Sequence, residues 1–223
     1  MKSEIRNIAL CALLGVTMSA NAVTVSVDPG ATWLGYMNVF NLPSAGGAYQ
    51  FGSGWGTADL NASFSGAVLT LTPNTIGDPN PYWYSPAGGP GAVGQKDMHA
   101  SMYVESTGPL AGQSLTFTGN VLANSFVAPY TTVAFIKDFA PDYSSFNYFI
   151  SAPLAPGVFS INLATVNDPA RHVQYGFETV GPNVWVTDVA QYGSIQITAV
   201  PEPASAALIL GSLACLAIRK KKA

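Results

Sequence analysis

The chain has 223 residues, 48% of them apolar and only 9% charged, against roughly 25% charged in ordinary soluble domains. Between residues 23 and 199 three basic residues, Lys96, Lys137 and Arg171, stand against ten acidic ones, a balance that repels phosphate backbones and excludes nucleic acid as a partner. Both cysteines, Cys11 and Cys215, fall in terminal apolar segments, so the middle holds neither a disulfide nor a thiolate metal site.

Residues 1–22 read as a secretory signal peptide. Lys2 and Arg6 precede an apolar run from Ile8 to Met18, and Ala20-Asn21-Ala22 supplies the small side chains that a signal peptidase accepts before its cut. The run is short for a membrane span. A signal helix removed after Ala22, with Val23 as the mature N-terminus, is expected.

From 23 to 199 the apolar period is mostly two. Residues 23–27, 32–40, 67–72, 98–105, 114–122, 131–137, 146–150, 158–163, 173–180 and 194–199 read as strands. Clusters such as Asp28-Pro29-Gly30, Asp78-Pro79-Asn80-Pro81 and Ala155-Pro156-Gly157 separate them as turns. Short strands in this rhythm predict one all-β domain over 23–199, a single β-sandwich of jelly-roll type, with an open barrel as the alternative architecture. The Pro- and Gly-rich stretch 74–97 is long for a connection and is expected to form an excursion at one end of the sandwich.

Residues 200–223 form a separate tail. The apolar stretch 204–218 would rise about 22 Å as a helix, short of the ~30 Å hydrocarbon core, so it spans with bilayer thinning or snorkelling lysines. Arg219, Lys220, Lys221 and Lys222 then hold that end in the cytoplasm, and the folded middle faces outward. Pro201 and Pro203 lack backbone donors, which keeps the approach extended and open to a protease.

Val200-Pro201-Glu202-Pro203-Ala204, the apolar helix and the basic end 219–222 together resemble the PEP-CTERM sorting signal. The resemblance covers residues 200–223 and implies that Pro201, Glu202 and Pro203 are the recognition motif of exosortase. Exosortase is a membrane-embedded cysteine protease of Gram-negative bacteria that make extracellular polysaccharide. The implied course is export, transient anchoring in the inner membrane, removal of the tail, and delivery to the cell surface or beyond. The basic end departs slightly from the family, with one Arg before three Lys where Arg-rich ends are common. Thr32-Trp33-Leu34-Gly35-Tyr36-Met37-Asn38-Val39-Phe40 and Trp55-Gly56-Thr57-Ala58-Asp59-Leu60 are similar to a group of uncharacterised PEP-CTERM ectodomains. That likeness implies a jelly roll like those of non-catalytic carbohydrate-binding modules, and it supplies no activity.

Catalytic signals in the middle are sparse, and neither an enzyme nor a cofactor is expected. Its two histidines, His99 and His172, lie in no nucleophile motif and read as structural or surface residues. The glycine-rich stretch 88–94 lacks the Lys-Ser/Thr of a phosphate loop. Most acids sit in turns, where they accept local hydrogen bonds, rather than as the paired carboxylates of a glycosidase. No metal ligand is assigned, although acidic loops at Asp28, Asp138, Asp142 and Asp188 leave calcium open.

Aromatic residues carry the one positive binding signal. Trp33, Tyr36, Trp55, Tyr82, Trp83, Tyr84, Tyr143 and Trp185 either fill the core or stack on sugar rings. Tyr82-Trp83-Tyr84 is the candidate glycan site, because three consecutive rings cannot all face one core. Expected partners are signal peptidase and exosortase during export, the membrane before processing, and extracellular polysaccharide. Three functions remain in play: an exported non-enzymatic envelope or matrix protein, a polysaccharide-binding module, and, third, a glycan hydrolase.

Overall fold

A computed structural model describes residues 22–200. The expected signal helix and the sorting tail lie outside the described residues, apart from Ala22 and Val200 at their margins. Among the described residues no helix is long and apolar enough to cross a membrane. The chain there is all-β, with two short 3-10 turns at Pro43–Ala45 and Val189–Tyr192.

The strands, in chain order, are β1 (Ala22–Ser26), β2 (Leu34–Asn41), β3 (Tyr49–Trp55), β4 (Ala62–Ser65), β5 (Val68–Leu71), β6 (Tyr84–Ser85) and β7 (Val93–Gly94). They continue as β8 (Lys96–Thr107), β9 (Ser114–Asn124), β10 (Thr131–Phe139), β11 (Phe146–Ile150), β12 (Gly157–Ala164), β13 (His172–Pro182) and β14 (Ile195–Thr198). All ten runs read from the two-residue period lie on strands. Four strands were not anticipated: β3, β4 and the short β6–β7 hairpin.

Two six-stranded sheets pack face to face as a β-sandwich-like body. The front sheet runs β11-β10-β13-β8-β2-β3, antiparallel throughout. The back sheet is organised around β9. One edge of β9 pairs with β12; along the other, β1 runs parallel beside residues 114–118 and β14 runs antiparallel beside 120–124. β5 and β4 follow outward from β14.

Alternation sorts each strand's residues between core and surface. On β9, Leu115, Phe117 and Val121 are buried, and Phe117 meets Tyr175 and Phe177 of β13 with ring centroids 5.3 Å apart. Phe159 of β12 adds an edge contact to Phe177 at 5.8 Å, and Trp33 stacks on it at 6.4 Å. These rings hold the sheets together, each large side chain contributing about 1.5–3 kcal/mol through burial. Gly119 is required where Phe159 crosses β9, because an added Cβ would lie 2.6 Å from that ring.

Ala22, read from sequence as the last residue of the leader, already pairs with Ser114. Apolar packing by β1 begins at Val23 and Val25. The stretch 74–97 carries the β6–β7 hairpin and is tied to the segment after β13 by the Thr75–Val184 bridge.

Candidate functional site

The outward side of the front sheet carries a groove. Its rows follow from register, since side chains opposite one another on paired strands share a face. One row reads Glu105, Gln174, Lys137 and Tyr148 across β8, β13, β10 and β11. The next row reads Leu34, Tyr103, Gly176, Phe135 and Ile150. Beyond it stand Tyr36, Ser101 and Glu178, and on the opposite flank Thr107, His172, Phe139 and Phe146. The groove has a volume of about 530 Å³, lined by Tyr36, Asn38, Ser101, Tyr103, Glu105, Lys137, Phe139, Tyr143, Phe146 and Gln174.

Gly176 leaves the middle of that face bare. A Cβ there would lie 2.1 Å from the Met102 carbonyl oxygen and 2.6 Å from Tyr103 Cα, so the close approach of β13 to β8 admits only glycine. Beside it Phe135, although on the outward face, is fully buried, with Lys137 Nζ 4.1 Å above its ring centre. Polar floor and apolar cover thus come from the same alternating strands.

One wall is aromatic. Phe139 lies 4.8 Å from Phe146 and 5.5 Å from Tyr143, and Tyr143 stacks on His172 at 4.4 Å with 9° between planes. Tyr143 has φ of +57°, in the left-handed region that a bulky side chain rarely occupies. The turn that holds it is pinned by Asp142, whose Oδ1 accepts from Ser144 Oγ at 2.6 Å and Ser144 N at 3.1 Å. Strain of this kind concentrates at functional sites.

At the β8 end of the polar row, Glu105 accepts from Gln174 Nε2 at 2.7 Å and from the Tyr143 hydroxyl at 3.1 Å. His172 Nδ1 is 3.9 Å from the same carboxylate. That imidazole is oriented by others: Nε2 donates to the Pro141 carbonyl at 3.3 Å, and Nδ1 lies 2.7 Å from Thr107 Oγ1.

A second cluster borders the groove. Glu178 receives Ser101 Oγ at 3.0 Å, His99 Nδ1 at 3.4 Å and Lys137 Nζ at 3.6 Å, while Asp97 lies 3.6 Å from His99 Nε2. Burial alone would raise the Glu178 carboxyl, but its hydrogen bond from His99 and the Lys137 charge outweigh that and hold it at about 2. Burial likewise opposes the His99 imidazolium, yet hydrogen bonds to Asp97 and Glu178 prevail and raise it to about 9.

The raised histidine contributes stability that is complete below its ordinary value of 6.5 and is lost as pH climbs through about 9. The lowered carboxylate contributes above its ordinary 4.5, and that part is lost as pH falls through about 2. Titration of His99 by NMR is expected to show a midpoint near 9, moving down by about one unit or more in Glu178→Gln. A wild-type midpoint near 6.5 would dissolve the cluster.

The candidate triplet Tyr82-Trp83-Tyr84 lies elsewhere, around β6: Tyr82 and Trp83 meet edge to face at 4.8 Å, while Tyr84 packs on Trp185 at 5.5 Å. Tyr84 is fully buried, its hydroxyl 2.6 Å from the Ile76 carbonyl oxygen and 2.8 Å from that of Val184. Trp83 packs against the core, and of the three only Tyr82 is exposed, at 39%, with Lys96 Nζ 4.1 Å from its ring centre. Trp83 does line a shallow depression of about 690 Å³ together with Trp55, Asp59 and Asp78. Of the other aromatics singled out in the sequence, Tyr36 and Tyr143 reach the front groove, whereas Trp33 and Trp185 pack inward. The outward alternation of 101, 103 and 105 on β8 was the signal for Tyr103 and Glu105.

The acidic residues weighed for calcium have partners within the protein. Both Asp138 oxygens are taken, Oδ1 by Arg171 Nε at 2.7 Å and Oδ2 by Val166 N at 2.8 Å. Asp28 accepts from Gly30 N and Asp188 from Gly91 N. Ala20 and the motif Pro201, Glu202 and Pro203 lie outside the described residues. Comparison with known proteins gives no matching family model, no similar curated protein and no similar solved structure.

Proposed function

We propose that the chain is an exported, non-enzymatic envelope or extracellular-matrix protein whose domain, a sandwich of jelly-roll type, binds polysaccharide in the front-sheet groove. One observation carries the binding: the aromatic wall of Phe139, Tyr143 and Phe146 flanks the polar row of Glu105, Gln174 and Lys137. Sugar rings offer the same two surfaces, apolar faces that stack on aromatic planes and hydroxyl rims that need hydrogen-bond partners. The jelly-roll assignment is supported by the chain's repeated crossing between sheets, from β8 through β9, β10, β12 and β13 to β14.

A binding role rather than hydrolysis is favoured because Glu105 is the one carboxylate among the groove-lining residues. Glycosidases flank the scissile bond with two. Export and sorting rest on the terminal segments: the leader ending Ala20-Asn21-Ala22, and Pro201-Glu202-Pro203 with its apolar helix and basic end. Signal peptidase and exosortase are the processing partners, and the membrane holds the chain until its tail is cut.

In affinity electrophoresis of the full chain through polysaccharide gels, Tyr143→Ala is expected to weaken retention about three- to tenfold, the equivalent of one lost stacking contact. Tyr82→Ala should leave retention unchanged. Equal loss from both, or none from Tyr143→Ala, would move the site away from the groove. Mass spectrometry of the native protein tests export: both terminal segments should be missing, and an intact chain in the cytoplasm would end that part.

A further inference from the structure

Charge in the groove restricts the sugar it can hold. Five Asp, Glu, Lys or His side chains face it or border it besides Glu105: Lys137, Glu178, His99, Asp97 and His172. Lys137 and His99 are turned to Glu178, and His99 also to Asp97. Neither cation is within 4 Å of Glu105. Glu105 is met instead by neutral donors, Gln174 and the Tyr143 hydroxyl. His172, 3.9 Å away, already has both ring nitrogens in contact with Thr107 and Pro141.

The β8 side of the groove therefore presents an anion with no committed counter-charge. Each carboxylate oxygen accepts one bond from the protein and retains acceptor capacity for a second. A sugar hydroxyl satisfies it and gains a charge-assisted hydrogen bond. A uronate, sulfate or pyruvate group would set like charge against like in a partly desolvated cleft, within a domain that already carries a large acidic excess.

We propose that the groove selects an uncharged polysaccharide chain, with adjacent sugar hydroxyls on Glu105 and Gln174 and ring faces on Phe139, Tyr143 and Phe146, and that it rejects anionic chains. This rests on the polysaccharide-binding reading above. The groove crosses β2, β8, β13, β10 and β11, four inter-strand steps or about 19 Å, a length that accommodates about four pyranose rings. Lys137 is held as part of the floor rather than as an anion receptor, because its ammonium is shared between Glu178 and the Phe135 ring.

The test is affinity electrophoresis and calorimetry of the full chain with three probes: a soluble neutral glucan, a neutral galactomannan and a polyuronate. At least one neutral polymer should bind about tenfold or more tightly than the polyuronate, a difference of about 1.4 kcal/mol. Its affinity should change little between about 0.05 M and 0.5 M NaCl, since no ion pair forms across the interface. Glu105→Gln should weaken the neutral polymer about threefold or more and narrow the gap to the polyuronate. If Glu105→Gln does not fold, Gln174→Ala takes its place and should weaken the neutral polymer to a similar degree.

Preferential binding of the polyuronate, or equal binding of all three, overturns the selectivity and leaves the polysaccharide-binding reading standing. Failure of all three probes to bind overturns both. Neutral-chain binding unaffected by Glu105→Gln, or by Gln174→Ala in its place, removes those residues from the recognition.

Discussion

Replacing Asp138 by alanine is expected to destabilise the domain by about 3–5 kcal/mol, because it strands a largely buried guanidinium. Asp138 is fully buried on β10, between Val173 of β13 and Asn147 of β11. Its Oδ1 accepts from Arg171 Nε at 2.7 Å, its backbone oxygen from Arg171 Nη2 at 2.6 Å, and its Oδ2 from Val166 N at 2.8 Å. Loss of the carboxylate unmakes the side-chain bonds and leaves both Arg171 and the Val166 amide short of a partner. Urea unfolding should show the midpoint falling with little change in slope. The double variant Asp138→Leu with Arg171→Met should recover a large part of the loss, since removing both charges also removes the desolvation penalty. A fall below about 1 kcal/mol for Asp138→Ala would mean the pair behaves as a solvated surface bridge.

Phe177→Ala is expected to cost a similar amount, about 3–5 kcal/mol, by a different route. The ring is fully buried at the centre of the sandwich and touches Phe117 and Phe159 of the back sheet and Trp33 of the β1–β2 connection. Deleting it opens a cavity between two sheets whose hydrogen-bonded backbones cannot close inward. Phe177→Leu fills most of the space and should lose less than half as much. Tyr143→Ala, at the groove, should shift the melting temperature far less than either. Comparable shifts for Phe177→Ala and Tyr143→Ala would place the core elsewhere.

The strands were legible because alternation is a local property. Residues 131–137 show it directly: Thr132, Ala134 and Ile136 point inward and Val133, Phe135 and Lys137 outward, as β10 requires. β3 keeps a two-residue period in Tyr49, Phe51 and Trp55, but Gly52 and Gly54 between them lower its strand propensity and give the stretch the look of a turn. The structure explains Gly52, where a Cβ would fall 2.6 Å from Asn38 Oδ1 and 2.9 Å from the Tyr36 hydroxyl.

The groove could not be read, because it is a product of register. Glu105, Gln174 and Lys137 are far apart in sequence and meet only through two strand pairings. A one-residue slip in either would turn one of them to the opposite face. Adjacency misled in the opposite sense at Tyr82-Trp83-Tyr84. Pro81, Tyr82 and Trp83 form a turn and β6 begins only at Tyr84, so no strand alternation runs through the triplet: Tyr84 enters the interior and Tyr82 stays at the surface.

The last strand of the described domain lies inside its sheet. β14 bridges β9 and β5, and within the back sheet the β4–β5 hairpin joins β9 only through it. A polypeptide emerging from its N-terminus therefore cannot complete this layer until residues 195–198 arrive, carrying the fully buried Ile195 and Ile197. Until then two strands keep open flanks able to capture other chains. Closure comes as one late step, a zipper whose slider is the last strand of the domain to appear.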